Sequence, residues 1–312
     1  MASNLLSMDE FGTKWEIPTK SNRYFSSIIG TEADKTWNGD FYFIVGSDPQ
    51  FGLMDWYQNP DYNPEKADWT EEIISATLAV DKINKLSPKP RFFVICGDLS
   101  NEFPENSSSL KIKQINDFKK IFSKVNSDIA LICVCGNHDV GNSPTIESIN
   151  NYHNDFGDDY FSFWCGGIFF IVLNSQYFKN AQFIQELTNK QEKWLDEQLH
   201  EADGHMIVCF SHIPWFIETP DEKEDYFNIP YETRIRILEK LNNAGVRYFF
   251  CGHLHKNERG FYKEMELIIT SAIGLQLGSD KSGIRIVKVM KDKIQHSYYA
   301  MEDIPDIVFD SK

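Results

Sequence analysis

The stretch "FYFIVGSDPQFG", Phe41 to Gly52, joins a run of apolar residues to small residues, a carboxylate, a proline and an amide. The apolar run is short and rich in aromatic and β-branched residues, which is typical of a strand buried on both faces. Asp48 and Gln50 follow at the point where that strand should end. They belong either to an ordinary loop or to a metal site, and the rest of the chain has to decide between these two interpretations.

Five further runs of the same kind follow along the chain. They are "RFFVICG" from Arg91, "IALICVCG" from Ile129, "GIFFIVLN" from Gly167, "HMIVCFS" from His205 and "VRYFFCG" from Val246. Helical patterns lie between them, with apolar residues spaced three and four apart from Trp69 to Ile83 and again from Leu110 to Val125. Alternating strands and helices predict an α/β fold whose strands are mainly parallel in its first half.

Two finer predictions concern the second half of the chain. Thr188 opens the segment "TNKQ" before "EKWLDEQL", a pattern typical of a capping box at the start of a helix. The last apolar runs, "ELIITSAIG", "GIRIVKVM" and "KIQHSYYAM", have no helices between them. We therefore expect an antiparallel meander there, and a second sheet packed on the first.

Composition limits the partners of the protein. A formal net charge of −15 over 312 residues argues against electrostatic capture of nucleic acid or of an anionic membrane. No apolar run approaches the ~20 residues of a membrane span, and Asp9 and Glu10 stand where a signal peptide would be basic or apolar. The six cysteines lie mostly in apolar runs, as reduced buried thiols do. These features predict a cytoplasmic protein; its oligomeric state is left open.

Nothing in the sequence marks an internal domain boundary. There is no repeat and no long low-complexity linker. We expect one domain over residues 39–312, preceded by a polar N-terminal arm over residues 1–38.

Residues that commonly bind metals or carry catalysis follow the predicted strands directly. Because ligands of open α/β sheets bind at the carboxyl ends of the strands, we expect these residues to converge. The candidate ligands are Asp48, Gln50, Asp98, Asn137, His212, His253 and His255. Each short motif alone is common in turns, but the ordered set, one piece to each strand end, favours a metal site.

The chemistry of these donors indicates the kind of ion. Carboxylate, amide and imidazole groups without thiolate suit Mg²⁺, Mn²⁺, Fe or Zn²⁺. Seven ligands are too many for one ion with an open position, so two divalent ions are expected, with Asp98 as the bridge. Two ions close together can clamp a phosphate oxygen and activate a water for attack on phosphorus.

The order Asp-x-Gln, Gly-Asp, Gly-Asn-His-Asp, His, Gly-His-x-His resembles the signature of the calcineurin-like metallophosphoesterases. The segments "DPQFG", "CGDL", "GDDYFSFW" and "VLNSQ" are similar to those of its subgroup called calcineurin-like phosphoesterase domain-containing protein 1. The resemblance implies a four-layered α/β/β/α sandwich of two mixed sheets flanked by helices. It also implies a dinuclear metal site at the edges of the sheets.

The resemblance assigns roles to individual residues. One ion would take Asp48, Gln50, Asp98 and His255, and the other Asp98, Asn137, His212 and His253. His138 would be the general acid or a transition-state stabiliser. Asp139 would either orient that imidazole or hold a turn.

The sequence departs from the family pattern at two points. Gln50 replaces the histidine of the commoner Asp-x-His motif, as it does in the subgroup and in manganese-dependent ADP-ribose pyrophosphatases. The arginines of calcineurin-type protein phosphatases are absent from "GDLSNEF" and "GNHDVGN", which leaves the metals, His138, Asn137 and Asn142 to meet the substrate charge. The acidic run "DEKED", 221–225, would disfavour polyanionic nucleotides if it covers the site.

Several aromatic residues adjoin the ligand motifs. They could either form the walls of a substrate pocket or pack in the core, and the sequence leaves both interpretations open. These residues are Phe51, Trp56, Tyr57, Trp215 and Phe216.

The ligands at the strand ends thus predict a metal-dependent phosphoesterase that acts by attack of a metal-bridging hydroxide. The resemblance to the subgroup implies that its substrates are phosphoserine and phosphothreonine in proteins. A pyrophosphatase acting on nucleotide diphosphates of the ADP-ribose type is the alternative within the same class. A catalytically weak protein-binding scaffold is the alternative from a different class, although scaffolds usually lose ligands and only one position is exchanged here.

Overall fold

The computed structural model describes residues 29–106 and 108–308. Most of the predicted N-terminal arm, residues 1–28, therefore lies outside the described residues, and the domain boundary at residue 39 stays a prediction. Over the described part of the chain, no helix has both the length and the apolar character needed to cross a bilayer.

Strands and helices alternate through most of the chain, as predicted. The strands are β1 (Phe41–Gly46), β2 (Phe92–Ile95), β3 (Ala130–Cys133), β4 (Phe161–Cys165), β5 (Ile168–Val172), β6 (Ile207–Phe210), β7 (Val246–Cys251), β8 (Glu258–Tyr262), β9 (Met265–Ile269), β10 (Gly283–Met290) and β11 (Lys293–Ala300). The helices are α1 (Leu53–Gln58), α2 (Thr70–Lys85), α3 (Ser108–Phe122), α4 (Asn137–Val140), α5 (Ile146–Phe156), α6 (Gln176–Lys179), α7 (Gln185–Glu201) and α8 (Tyr231–Asn243).

The strands form two mixed sheets. The first has the order β11-β10-β1-β2-β3, in which β1, β2 and β3 are parallel and β10 is antiparallel to β1. The second has the order β4-β5-β6-β7-β9-β8, in which β5, β6, β7 and β9 are parallel. The predicted fold class is therefore confirmed.

Aromatic rings fill the space between the two sheets. Phe43 and Phe92 of the first sheet meet Phe170 and Phe210 of the second, with the ring centroids of Phe92 and Phe170 5.1 Å apart. All four rings are fully buried. Edge-to-face packing of such rings stabilises the interior beyond the area that it buries.

Helices cover the outer face of each sheet. Apolar residues of α2, α3 and α5 share one buried cluster with the first sheet. Residues of α7 and α8 share another with the second sheet. The molecule therefore has the four layers that the family resemblance implies.

The predicted C-terminal meander is wrong, because its strands divide between the two sheets. β9 lies in the second sheet between β7 and β8, whereas β10 and β11 form a hairpin beside β1 in the first. The physical reason is that β10 is apolar on both faces: Ile284 and Ile286 pack beneath the helices, and Val287 and Val289 pack between the sheets. A place next to β1 buries both faces.

The capping box predicted at Thr188 is also wrong. Helix α7 begins at Gln185, so Thr188 lies inside its first turn. The Thr188 hydroxyl is 3.3 Å from the carbonyl oxygen of Ile184 and 3.2 Å from that of Tyr177, to which it can donate. A hydroxyl that bonds the preceding turn in this way is compatible with a helix interior.

Candidate metal centre

The loops after β1, β2, β3, β6 and β7 meet at one edge of the sandwich, and their backbone there is unusual. Asp48, Gln50, Asp98, His253 and His255 have φ angles of 48°, 35°, 50°, 70° and 53°. Residues other than glycine rarely adopt positive φ, and such conformations concentrate at functional sites. Outside this edge, the part of the chain that the structure describes has one more such residue, in the β8–β9 turn.

Two glycines allow the loops to approach one another. A Cβ on Gly97 would lie 2.4 Å from Nδ1 of His212, and one on Gly136 would lie 2.2 Å from Oδ1 of Asp98. Gly97 also has a φ of +84°, which a side chain would disfavour. Gly97, directly before Asp98, therefore allows the β2 loop to approach His212 closely.

The imidazole of His212 is crowded by other donor atoms. Its Nε2 lies 3.2 Å from Oδ2 of Asp98, 3.0 Å from Oδ1 of Asn137 and 3.1 Å from Nδ1 of His253. One proton on this nitrogen can serve only one of the three neighbours. The remaining lone pairs face each other, an arrangement that a cation among them would stabilise.

A second group of donors lies beside the first. Nε2 of His255 is 3.3 Å from Oδ1 of Asp48, while Nε2 of Gln50 donates to Oδ1 of Asn101 at 3.2 Å. Oε1 of Gln50 is buried without a hydrogen-bond partner among the described residues, and Oδ1 of Asp48 has only imidazole nitrogens as its polar side-chain neighbours there. Burying oxygens with so few partners is costly, which fits ligands of a cation.

Hydrogen bonds from the backbone and to the backbone hold the ligands in place. Nδ1 of His212 bonds the carbonyl of Cys96 at 2.8 Å, and Nδ1 of His255 bonds that of Leu275. Each bond leaves Nε2 of its ring directed at the centre. The backbone amides of His138 and His253 donate to Asp98 and Asp48 at 2.8 and 3.0 Å.

Neighbouring charges counteract the effect of burial on the pKa values of Asp98 and His212. Burial would raise the pKa of Asp98, but the positive charges of His212 and His138 hold it well below its usual range. Burial would lower the pKa of His212, but the Asp98 carboxylate raises it. Burial and the charge of His212 lower the pKa of His253 to about 3, so this ring is neutral, the form in which imidazole binds metals.

His138 is fixed at the rim of the centre. Its Nδ1 bonds the carbonyl of Asn101, and the ring of Phe103 stacks on it with centroids 3.9 Å apart. Burial lowers the pKa of this imidazole, although the Asp98 carboxylate opposes the effect. Because Nδ1 is occupied, Nε2 is the nitrogen left for proton exchange.

The hydrogen bonds of Asp139 go to the backbone of the loops after β2 and β3, and not to the His138 imidazole. Its Oδ1 accepts from the amide of Leu99 at 3.0 Å and its Oδ2 from that of Gly136 at 2.8 Å. Burial and the neighbouring Asp98 raise its pKa to about 7. Of the two roles left open for this residue, the contacts favour the structural one.

Lys111 holds the same loops in place, and no motif in the sequence points to it. Its ammonium group donates to the carbonyl of His138 at 2.9 Å and to that of Glu102 at 2.8 Å. Lysine is rarely buried unless it is paired. A lysine in a predicted amphipathic helix looks like a surface residue, so only the packing of α3 on the loops reveals this role.

The aromatic residues next to the motifs divide between core and surface. Phe51, Trp215 and Phe216 are fully buried in the core clusters, so the structure places them in packing and not on the wall of the site. Trp56 and Tyr57 are exposed on α1, at 51% and 61% of their surface.

The acidic run 221–225 belongs to a loop that reaches the centre, and its next residue, Tyr226, makes the contact. Nδ2 of Asn137 donates to the Tyr226 hydroxyl at 2.9 Å and to Oδ1 of Asn142 at 3.1 Å. The tyrosine ring lies 5.0 Å from the ring of His253, and its carbonyl is 3.3 Å from Nε2 of that histidine. No sequence motif points to Tyr226, since only tertiary contacts bring this loop to the strand ends.

Residues 35–257 match the family model described as calcineurin-like phosphoesterase. The chain belongs to this family. The match covers all five loops of the centre, and the resemblance stated from the motifs is confirmed.

Curated relatives extend the similarity beyond the family model. The chain is 44% identical over 280 residues to "Serine/threonine-protein phosphatase CPPED1" of Homo sapiens, covering 88% of each chain. It is 40% identical over 278 residues to the protein of the same name from Danio rerio, covering 88% of this chain and 89% of that one. The similarity therefore spans nearly the whole described structure.

Solved structures share the fold at low sequence identity. A dimetal phosphatase from Danio rerio matches with a TM-score of 0.62 and 13% identity, over 85% of this chain and 97% of the other. Purple acid phosphatase PPD1 from yellow lupin matches with a TM-score of 0.63 and 10% identity, over 88% and 54%. At these identities the likeness supports the architecture alone.

The residues present fit the divalent ions that this family uses. Donor atoms of Asp98, His212 and His253 all lie within 4.8 Å of one another, and all three residues are buried. The buried side-chain oxygens of Asp48 and Gln50 add two hard donors to the set. No thiolate is part of the set.

Proposed function

We propose that the protein is a metal-dependent phosphatase that hydrolyses phosphoserine and phosphothreonine in proteins. The observation that carries this proposal is the buried set of oxygen and imidazole donors from five strand ends, in which Gln50 Oε1 has no partner among the described residues and Asp48 Oδ1 faces only imidazoles. The relatives at 44% identity carry the name of a serine/threonine-protein phosphatase, which supports the same substrate class.

The proposal includes two divalent ions, drawn from Mn, Mg, Fe and Zn. Asp98 would serve both, since its Oδ2 faces His212 while its Oδ1 accepts only from the amide of His138. Asp48, Gln50 and His255 would complete one set, and Asn137, His212 and His253 the other. Bound ions would neutralise phosphate charge and lower the pKa of a water molecule toward neutrality.

The protein's own groups would handle the leaving oxygen. A serine or threonine alkoxide is a poor leaving group, so a proton must reach it as the phosphorus–oxygen bond breaks. Nε2 of His138 is free for this exchange because Nδ1 is held by Asn101, and Phe103 keeps the ring in place.

The loop of residues 219–229, the covering loop, supports a protein substrate over a nucleotide diphosphate. Asp221, Glu224 and Asp225 are exposed on it, and the loop reaches the centre through Tyr226. Like charges beside a cleft lower the local concentration of a polyanion such as ADP-ribose. A phosphopeptide with basic flanking residues would meet an attractive field instead.

The scaffold alternative is less well supported. A scaffold has no need of buried unpaired oxygens or of five ligands in strained backbone conformations, both of which lower stability. The cytoplasmic location stays a prediction from the sequence.

The test compares substrates on protein stripped of metal and reloaded with each ion in turn. Metal content is measured by mass spectrometry, and kcat/KM is measured for a panel of phosphopeptides and for ADP-ribose. We expect two ions per chain and a higher kcat/KM for phosphopeptides. A higher kcat/KM for ADP-ribose would favour the pyrophosphatase, and tight metal binding without any turnover would favour the scaffold.

A further inference from the structure

The loop over the metal centre is held in place by hydrogen bonds to the rest of the fold. Residues 219–229, the covering loop, are held by Arg234 of α8, whose side chain is fully buried. Arg234 donates to the carbonyls of Ile229 and Pro220 at 3.0 Å and to that of Glu222 at 2.8 Å. The Glu222 carboxylate in turn accepts from the backbone amide of Ile217 at 2.8 Å.

These contacts fix Tyr226 at the mouth of the centre. Its hydroxyl accepts from Nδ2 of Asn137 at 2.9 Å, and the same Nδ2 donates to Oδ1 of Asn142 at 3.1 Å. The ring packs beside His253, yet 47% of the residue surface remains exposed. Tyr226 therefore faces both the proposed ligands and the solvent from which a substrate enters.

The Tyr226 hydroxyl can both accept and donate. Its oxygen accepts from the Asn137 amide, and a phenol carries one hydrogen of its own. That hydrogen can be given to a phosphate oxygen in the cleft.

Three cationic groups near the covering loop and the neighbouring motif loops already donate to backbone carbonyls. Lys111 donates to the carbonyls of His138 and Glu102, and Lys179 donates to those of Asp225 and Asn228. Arg234 bonds three more carbonyls, as described above. Lys223 of the covering loop is exposed, whereas the Tyr226 hydroxyl touches the proposed ligand Asn137, which places a neutral donor beside the bound phosphate.

We propose that the Tyr226 hydroxyl donates a hydrogen bond to a non-bridging oxygen of the substrate phosphate, and that it thereby takes the place of a cationic clamp. The inference rests on the proposed function for its substrate, but it concerns phosphate binding and can be tested without turnover. A neutral clamp binds a phosphate without adding positive charge to the acidic covering loop.

The test uses Tyr226→Phe, which removes only the oxygen, and inorganic phosphate as the probe. Metal content and phosphate affinity are measured on the metal-loaded full chain, by mass spectrometry and by calorimetry. We expect unchanged metal content and a phosphate dissociation constant raised roughly 10- to 100-fold, the range for a hydrogen bond to a charged group. Where phosphopeptides are turned over, KM or kcat/KM should change by a similar factor.

Tyr231→Phe is the matched control, because Tyr231 opens α8 and has the same exposed fraction of 47%. Its phosphate affinity should stay within about twofold of wild type, as for most surface substitutions. Wild-type phosphate affinity in Tyr226→Phe would overturn the proposal. A loss of metal in that variant would also overturn it, since Tyr226 would then act by positioning Asn137.

The two proposals fail in different ways. If wild-type protein binds phosphate but hydrolyses no phosphopeptide, the proposed function fails, and the comparison of Tyr226→Phe with wild type still decides the role of the hydroxyl. If metal-loaded wild-type protein binds no phosphate, the role of Tyr226 is overturned directly.

Discussion

The same strands form two regions of the molecule, the apolar interior between the sheets and the metal centre at the edge of the sheets. The two regions differ in the kind of residue that is buried and in its backbone conformation. Between the sheets, rings such as Phe43 and Phe210 are fully buried and need no specific partner. At the edge, Asp48, Asp98 and His253 are equally buried but carry positive φ and crowded donor atoms. Burial of apolar rings stabilises the interior. At the edge, strained backbone and buried polar groups lower the stability of the fold but place a set of ligands together.

This difference predicts that the two regions respond differently to substitution. Phe43 lies inside β1, and Asp48 lies beyond the end of that strand, only five positions later in the chain. A change at the centre should alter metal binding and chemistry with little effect on the stability of the metal-free fold. A change in the interior should do the reverse.

The largest effect is expected at the proposed bridge. Asp98→Asn keeps the shape and one oxygen for the His138 amide, but a neutral amide cannot balance two dications. Turnover should fall by roughly 10⁴-fold or more, since paired ions contribute several kcal/mol to such a transition state. Metal content by mass spectrometry should fall from two ions per chain.

Asp292→Asn, on the exposed β10–β11 turn, is the control for this experiment. It should keep both ions and wild-type turnover. Full turnover in Asp98→Asn would show that Asp98 does not bridge metals.

The next effect separates proton transfer from metal binding. His138→Gln should keep the metals but slow the hydrolysis of phosphoserine peptides by roughly 10²–10⁴-fold, the range of general acid catalysis. The loss should be much smaller with p-nitrophenyl phosphate, whose leaving group departs without a proton. The surface variant His200→Gln should behave as wild type with both substrates.

Equal losses with the good and the poor leaving group would argue against His138 as the proton donor. A metal content that falls together with activity would show that His138 is a ligand.

The interior is tested by Phe43→Ala. Phe43 packs against Phe92, Phe170 and Phe210, so its truncation leaves a cavity between the sheets. The free energy of unfolding of the metal-free protein should drop by about 3–5 kcal/mol, measured in urea. The turnover per folded molecule, measured with saturating metal at low temperature, should change little.

A large loss of turnover in fully folded Phe43→Ala would contradict the separation of the two regions. Phe43→Leu should show the same pattern with a smaller loss of stability, because it leaves a smaller cavity.

The smallest effect is expected from Gln50→His, which alters the edge without removing a ligand. The Gln50 oxygen is unpaired while its amide nitrogen is held by Asn101, so the oxygen is free to coordinate. Imidazole is a softer and more basic donor, so metal preference should move from Mg²⁺ or Mn²⁺ toward Zn²⁺ or Fe with activity retained. Titration with each ion measures this shift.

An unchanged order of metal affinities in Gln50→His would indicate that residue 50 does not coordinate. Stability of the metal-free protein should stay close to wild type in this variant, in contrast to Phe43→Ala.

The sequence by itself determined nine of the eleven strands that the structure describes, all but β4 and β8, and the set of candidate ligands. Runs such as "FYFIVG" and "VRYFFC" are apolar enough to require burial on both faces, and this is a local property. The ligands could be named because each directly follows such a strand, and strand ends of parallel sheets meet whatever the details of packing.

Only the tertiary structure decided which sheet contains the hairpin of β10 and β11. It also decided which of the candidate aromatic residues lie in the core, and which distant residues contact the loops of the metal centre. β10 pairs with β1 because both of its faces are apolar and this position buries both. Phe51 and Trp215 lie in the core because the packed helices and sheets bury their apolar rings. Lys111 and Tyr226 reach the centre through contacts with residues 27 and 89 positions away in the chain. Contacts between such distant segments depend on how helices and loops pack on the sheets, and no local pattern encodes them.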